Sequence, residues 1–167
     1  MAIRNIRMGN DPCLRAVCRP VEKFDAKLGQ LLDDMYDTMK LANGVGLAAP
    51  QVGIRRRAVV IDVGQGRVEF VNPKFLLQEG KQECVEGCLS FPNRWGVTHR
   101  PNHVKVHAQH RDGSFFDIDA NDFFALACCH EIDHLNGIVF LSHVEHFLTE
   151  KELEKMQADG IFEVLPK

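Results

Sequence analysis

No apolar run in the 167-residue sequence approaches the roughly 20 residues that cross a bilayer as a helix, which excludes a helical membrane span. The opening stretch, Met1-Ala2-Ile3-Arg4-Asn5-Ile6-Arg7, has no apolar core of the kind that marks a secretory signal. The chain is therefore expected to stay in a reducing, cytoplasmic compartment. Its six cysteines are then thiols or metal ligands, not a disulfide framework. Excess positive charge is missing too: the net charge is -3, and no basic stripe appears, so neither nucleic acid nor membrane surface is an expected partner. The one basic cluster, Arg55-Arg56-Arg57, reads as a solvated strand start. Internal repeats, low-complexity tracts and linkers are absent, and the length suits one domain over residues 1–167.

What is present centres on Cys129-His130-Glu131-Ile132-Asp133-His134-Leu135-Asn136-Gly137. On a helix, His130 and His134 lie on one face about 6 Å apart along the axis, close enough for both imidazoles to reach one metal ion. Glu131 follows the first histidine, where its carboxylate can act on water beside that ion. The preceding run, Phe123-Phe124-Ala125-Leu126-Ala127-Cys128-Cys129, has no polar face, so the helix is buried and its polar continuation needs partners.

Upstream, Asp25 is placed to cap a helix whose Leu28, Leu31, Leu32, Met35 and Met39 recur at helical spacing. Asp33, Asp34, Asp37 and Lys40 fill its expected wet face, and Asn43-Gly44 ends it. Gly44-Val45-Gly46-Leu47-Ala48-Ala49-Pro50-Gln51 is small and apolar apart from Gln51. No Lys-Ser or Lys-Thr follows it, so it is not a phosphate-binding loop.

Strand material comes next. Ala58–Val63 reads as a central strand, and Val68–Val71 as a second one stopped by Asn72-Pro73. Glu79-Gly80 reads as a hairpin turn, Phe91–Gly96 as loop, and His103–His110 as a strand with one wet face turned back at Asp112-Gly113. Its histidines read as exposed, and His143 and His146 as structural or solvated. Asn121 or Asp122 is placed to cap the buried helix, and Thr149 with Glu152 forms a capping box for a short last helix. The fold class is α+β: antiparallel strands around a central buried helix, with an N-terminal amphipathic helix, a core of about 11–140 and a C-terminal tail over 147–167.

Catalytic zinc-type sites take three protein ligands and keep a fourth position open. Two are His130 and His134. The third is open on spacing alone: acids and histidines follow the helix, and Cys88 precedes it in a glycine-flanked turn.

Three segments together resemble peptide deformylase: Gly44–Gln51, Glu86-Gly87-Cys88-Leu89-Ser90, and His130–Gly137. The resemblance implies removal of the formyl group from N-formylmethionine on newly made peptides. It implies Cys88, His130 and His134 as ligands to one divalent metal ion per chain, Fe²⁺ in most of the family, with Zn²⁺ or Ni²⁺ as substitutes. It implies Glu131 as general acid and base, with the Gln51 amide and the Leu89 backbone N–H holding the oxyanion. Val45, Gly46, Leu126 and Ala127 are then the substrate-binding positions. Family members contact the ribosome transiently through a basic C-terminal helix; the tail here is short and mixed in charge. Two departures stand out: Cys129 replaces the usual Gln before the first metal histidine, and Arg94-Trp95 lies where relatives often place an Arg one position later. Asp133 and Glu86 are expected to pair with Arg100. The rival readings are a metalloprotease, with a third ligand other than Cys88, and a structural zinc domain recruiting Cys84 with Cys88.

Overall fold

The computed structural model describes residues 2–159. The expected tail beyond 159 lies outside the described residues. Helix α1, Ala26–Leu41, starts where the Asp25 side chain accepts from the Leu28 N–H. It ends with Asn43, not Gly44, in the left-handed conformation, while the Gly44 N–H reaches the Met39 carbonyl.

A five-stranded antiparallel sheet follows in the order β1-β2-β3-β6-β7: Gly46–Ala48, Ala58–Ile61, Val68–Glu79, His103–Gln109 and Phe115–Asn121. Strand β2 is buried along its length because it feeds two cores. Ala58 and Val60 meet Leu28, Leu31, Leu32, Met35 and Met39 of α1. Val59 and Ile61 face the opposite way, toward Ala125, Cys128, Ile132 and Leu135 of α2, Asp122–Leu135. Period-two side-chain alternation is what lets one short strand serve both. Strand β6 alternates as expected, with Val104, Val106 and Ala108 buried and its histidines outward.

A second sheet, β4-β5-β8, comprises Gln82–Cys88, Phe91–Arg100 and His146–Phe147. The capping box of Thr149 and Glu152 starts α3, Glu150–Ala158. Phe91 packs with Leu14, Val139 and Phe140 in a third small core.

Several expectations are corrected. Glu79-Gly80 does not make a hairpin: β3 pairs with β2 and β6, while β4 pairs with β5. Gly80, at φ 74°, hands the chain from one sheet to the other, a backbone angle that glycine adopts freely. Phe91–Gly96 is not loop but the first half of β5. Strand β3 does not stop at Asn72-Pro73; its register shifts there, and Asn72 bonds Val21 on both sides of its amide. Asn121 occupies the cap position of α2 without a side-chain capping bond. Asp34, placed on the wet face of α1, is buried: it accepts from the Ala2 N–H, the Arg4 Nε and the Gln30 amide. Buried carboxylates persist where such partners replace water.

Candidate active site

Helix α2 and strand β4 meet at a cluster of three donors. Sγ of Cys88, Nε2 of His130 and Nε2 of His134 all lie within 4.8 Å of one another. The His134 nitrogen is 3.4 Å from the sulfur and 3.3 Å from the His130 nitrogen. With metal–nitrogen bonds of about 2.0–2.1 Å and metal–sulfur bonds of about 2.3 Å, tetrahedral ligands stand about 3.4–3.6 Å apart. The donor set therefore fits one divalent ion. Cys84 is not in the cluster; its sulfur faces the Gln82 carbonyl.

The His130 imidazole is oriented from behind. Glu86 Oε1 accepts from His130 Nδ1 at 2.6 Å, which turns the bare Nε2 toward the sulfur. The same carboxylate is held by Thr98 Oγ1 at 2.6 Å and, two-pronged, by Nε and Nη2 of Arg100 at 3.1 and 2.6 Å. The Arg100 Nη1 reaches Asp133 Oδ2 at 2.8 Å. The expected ion pairs of Arg100 are thus both present: the one with Glu86 is almost fully buried, and the one with Asp133 is partly exposed. Burial alone would raise the Glu86 pKa, but the contacts with His130 and Arg100 outweigh it and hold the group ionised. Burial presses His134 well below the usual histidine range. Its Nδ1 is buried with no hydrogen-bond partner among the described residues.

Glu131 stands beside the cluster, its Oε2 4.0 Å from His130 Nε2. Burial pushes its carboxyl up to about 7, and its Oε1 has no partner among the described residues. Gly46 lies directly on this carboxylate, so a Cβ there would collide with it. Gln51 is buried; its Oε1 accepts from the Ala48 N–H, and its amide nitrogen faces Ser90 Oγ at 3.0 Å and Cys88 Sγ at 3.5 Å. The amide is thereby fixed with its donors toward the sulfur.

A cleft opens over these groups. Val45, Gly46 and Gln51 form one side, and Cys88 and Leu89 belong to the other. Leu126, Ala127, His130 and Glu131 of α2 form its floor. Every site residue expected from sequence lies in the cluster or the cleft. Reading the sequence missed Val85, Trp95 and Phe123 as lining. Phe123 was findable, since positions 123, 126, 127 and 130 share one helix face. Trp95 was not, because it sits in the half of β5 that reads as loop. Cys129, which stands where the family usually has Gln, is buried, and burial raises its thiol to about 12.

The comparisons agree with this geometry. Residues 3–150 match the model of the family described as polypeptide deformylase. A peptide deformylase of Caldicellulosiruptor bescii is 54% identical over 160 residues, 96% of each chain. Peptide deformylase 1 of Bacillus subtilis is 46% identical over 159 residues, 94% of this chain and 99% of that one. The crystal structure of the Thermotoga maritima peptide deformylase superposes with a TM-score of 0.85 at 38% identity, covering 87% of this chain and 99% of that one. The Synechococcus elongatus enzyme in complex with actinonin gives 0.83 at 34%, covering 96% and 87%. The chain belongs to the polypeptide deformylase family.

Proposed function

We propose that Cys88, His130 and His134 hold one divalent metal ion, Fe²⁺ as the resident ion with Zn²⁺ or Ni²⁺ able to replace it, at the centre of a formyl-releasing site. The chain is an enzyme, a peptide deformylase that removes the formyl group from the N-formylmethionine of new polypeptides. The single observation that carries the site assignment is the spacing of the three donors, which suits one ion and excludes Cys84. When bound, the ion supplies Lewis acidity, drawing the pKa of water toward neutral and polarising a carbonyl oxygen.

The protein's own groups do the rest. Glu131 takes the proton of the attacking water and returns it to the departing amine, which leaves far more readily when neutral. Its pKa of about 7 suits a group that must both accept and give a proton near neutrality. The Gln51 amide and the Leu89 N–H hold the oxyanion; losing one such donor costs about 3–4 kcal/mol of transition-state stabilisation. Gln51 enters this role with its Oε1 already committed to Ala48, so only donors face the site. Strand β1 is the edge of its sheet, and the Gly46 backbone pairs with an extended substrate. Val45, Leu126 and Ala127 receive the methionine side chain.

In this reading α2 is the central metal-bearing helix of the α+β fold, α1 buttresses the sheet, and residues 1–167 act as one cytoplasmic catalytic unit. Described helices include none long and apolar enough to cross a membrane. Helix α3 mixes Glu150, Glu152 and Glu154 with Lys151 and Lys155, so it offers no net basic face to a ribosome.

The test is formate release from a formyl-Met peptide by anaerobically prepared enzyme. Wild type is expected to turn over, and Glu131→Ala to lose at least a hundred-fold while keeping its metal. A metal-loaded wild type that releases no formate overturns the reading.

A further inference from the structure

A second groove, of about 500 Å³, shares no lining residue with the catalytic cleft. It is formed by the chain leading into α1, the first two turns of that helix and the segment just before β2. Val21, Leu28 and Leu31, all buried, and the half-buried Ile54 give it an aliphatic floor. Arg19, Lys23, Lys27 and Arg56 stand around that floor, and among the described residues none of the four has an acidic partner. A fifth cation, Arg4, is already paired with Asp34. The acids at the groove are Glu22 and Asp25, and the Asp25 carboxylate is committed to the Leu28 N–H. The chain as a whole carries a net charge of -3, so this local excess of positive charge runs against the rest of the molecule.

The excess is held in place at a cost to the free protein. Arg19 and Arg56 face each other across a parallel bridge, fixed by the Arg19 N–H to the Arg55 carbonyl at 3.2 Å and the Arg57 N–H to the Arg19 carbonyl at 3.1 Å. Like charges set directly opposite one another repel. Lys27 lies in the first turn of α1, which contains no acid, although the positive end of a helix favours one. The cluster Arg55-Arg56-Arg57, which reads as a solvated strand start, thus divides: Arg57 bonds the Leu135 carbonyl, while Arg56 lines the groove. An anionic occupant relieves both conflicts.

We propose that this groove binds an acidic peptide segment of a partner protein, its carboxylates on the cationic rim and its aliphatic side chains on the floor. Guanidinium forks take carboxylates two-pronged. An extended peptide alternates its side chains between two faces, so acids and aliphatics in alternation reach rim and floor together. The volume lies in the range of sites that enclose a ligand of several residues, and a lone inorganic anion would leave the aliphatic floor in water. Single-stranded RNA is held by bases stacked on aromatic rings, and the lining has no aromatic side chain.

The test is fluorescence anisotropy with the metal-loaded enzyme. The probes are three labelled peptides, Glu-Leu-Glu-Leu-Glu, Glu-Gly-Glu-Gly-Glu and Lys-Leu-Lys-Leu-Lys, and a labelled uridine pentanucleotide. The first peptide is expected to bind about ten-fold more tightly than each of the others, and to weaken about ten-fold as salt rises from about 50 to about 500 mM. Arg19→Glu and Arg56→Glu are each expected to weaken it about ten-fold with formate release unchanged, since neither side chain lines the cleft. Lys27→Glu is expected to weaken it likewise and to raise the melting temperature of the free protein, because it puts an acid in the first turn of α1. No binding of the first peptide, equal binding of the glycine peptide or the nucleotide, or unchanged affinity in the charge-reversed variants overturns the proposal. Should Arg19→Glu or Arg56→Glu fail to fold, the two readouts of Lys27→Glu decide: unchanged affinity or a lower melting temperature overturns it. The binding readouts need no turnover, so they stand apart from the outcome of the formate assay.

Discussion

His130 donates its Nδ1 proton to Glu86 across 2.6 Å, and the carboxylate that receives it is the one Arg100 grips with two nitrogens. Glu86 sits in β4, two residues before Cys88, and His130 lies in the second half of α2, so this bond ties the two halves of the site together. Glu86→Gln preserves the shape and removes the charge that fixes the imidazole. Metal affinity is expected to fall about ten-fold to a hundred-fold, read as the chelator concentration that strips half the ion. An unchanged chelator midpoint would show that the pair does not orient the ligand.

Arg100 neutralises Glu86 from the other side, and both are almost fully buried. Arg100→Met leaves a carboxylate in the interior with only Thr98 and His130 beside it. Stability is expected to drop by about 3–5 kcal/mol, because the cost is that of an uncompensated buried charge. Urea unfolding measures it, as a lower midpoint with unchanged slope. A loss below about 1 kcal/mol would contradict the assignment.

Gly46 is fixed by what it touches. A single methyl group at this position meets the Glu131 carboxylate. Gly46→Ala is expected to lower kcat about a hundred-fold by displacing the proton carrier, with circular dichroism and metal content unchanged. Near-normal turnover would place Glu131 elsewhere in the working enzyme.

Cys84 and Cys88 separate the catalytic site from a structural zinc site. Cys84→Ser is expected to retain one metal ion per chain, and Cys88→Ser to lose it on dialysis. The free Cys84 thiol is pushed up to about 11, chiefly by burial, so it gives little thiolate at neutral pH to compete for the ion. Equal loss from both variants would revive the structural reading.

His103 bridges Glu79 and Asp119 on the outer face of the large sheet, at 2.6 and 2.8 Å. Its hydrogen bonds to these acids raise its pKa above the ordinary 6.5. A raised folded-state pKa contributes stability that is complete below 6.5 and fades as pH climbs through the folded value. Stability is therefore expected to decline over that window in wild type and to change less in His103→Gln. A nuclear magnetic resonance titration placing His103 at or below 6.5 would refute this.

Sequence periodicity served well where one element meets one face. The Leu and Met stripe of α1 and the alternation of β6 both follow from spacing alone. It failed where the partner is far along the chain. Asp34 keeps its charge in the interior because Ala2 and Arg4, some thirty residues earlier, reach it. Strands β3 and β4 are consecutive yet belong to different sheets, and nothing local announces that the pairing strand for β3 is β6. Pro92, Asn93 and Gly96 make β5 look like loop, and only its place between β4 and β8 makes it strand. The donors on α2 were legible as a pair from helical spacing. Cys88 became legible only with the resemblance, since forty-odd intervening residues carry no distance information.

One guanidinium, that of Arg100, closes the circuit between the end of β5, the cysteine strand and the metal helix. A protein engineer who copied only the His-Glu-His helix into another scaffold would import two rings without the clamp that aims the first of them. The smallest portable unit is those three segments, and the part most easily left behind is a positive charge no motif search would think to include.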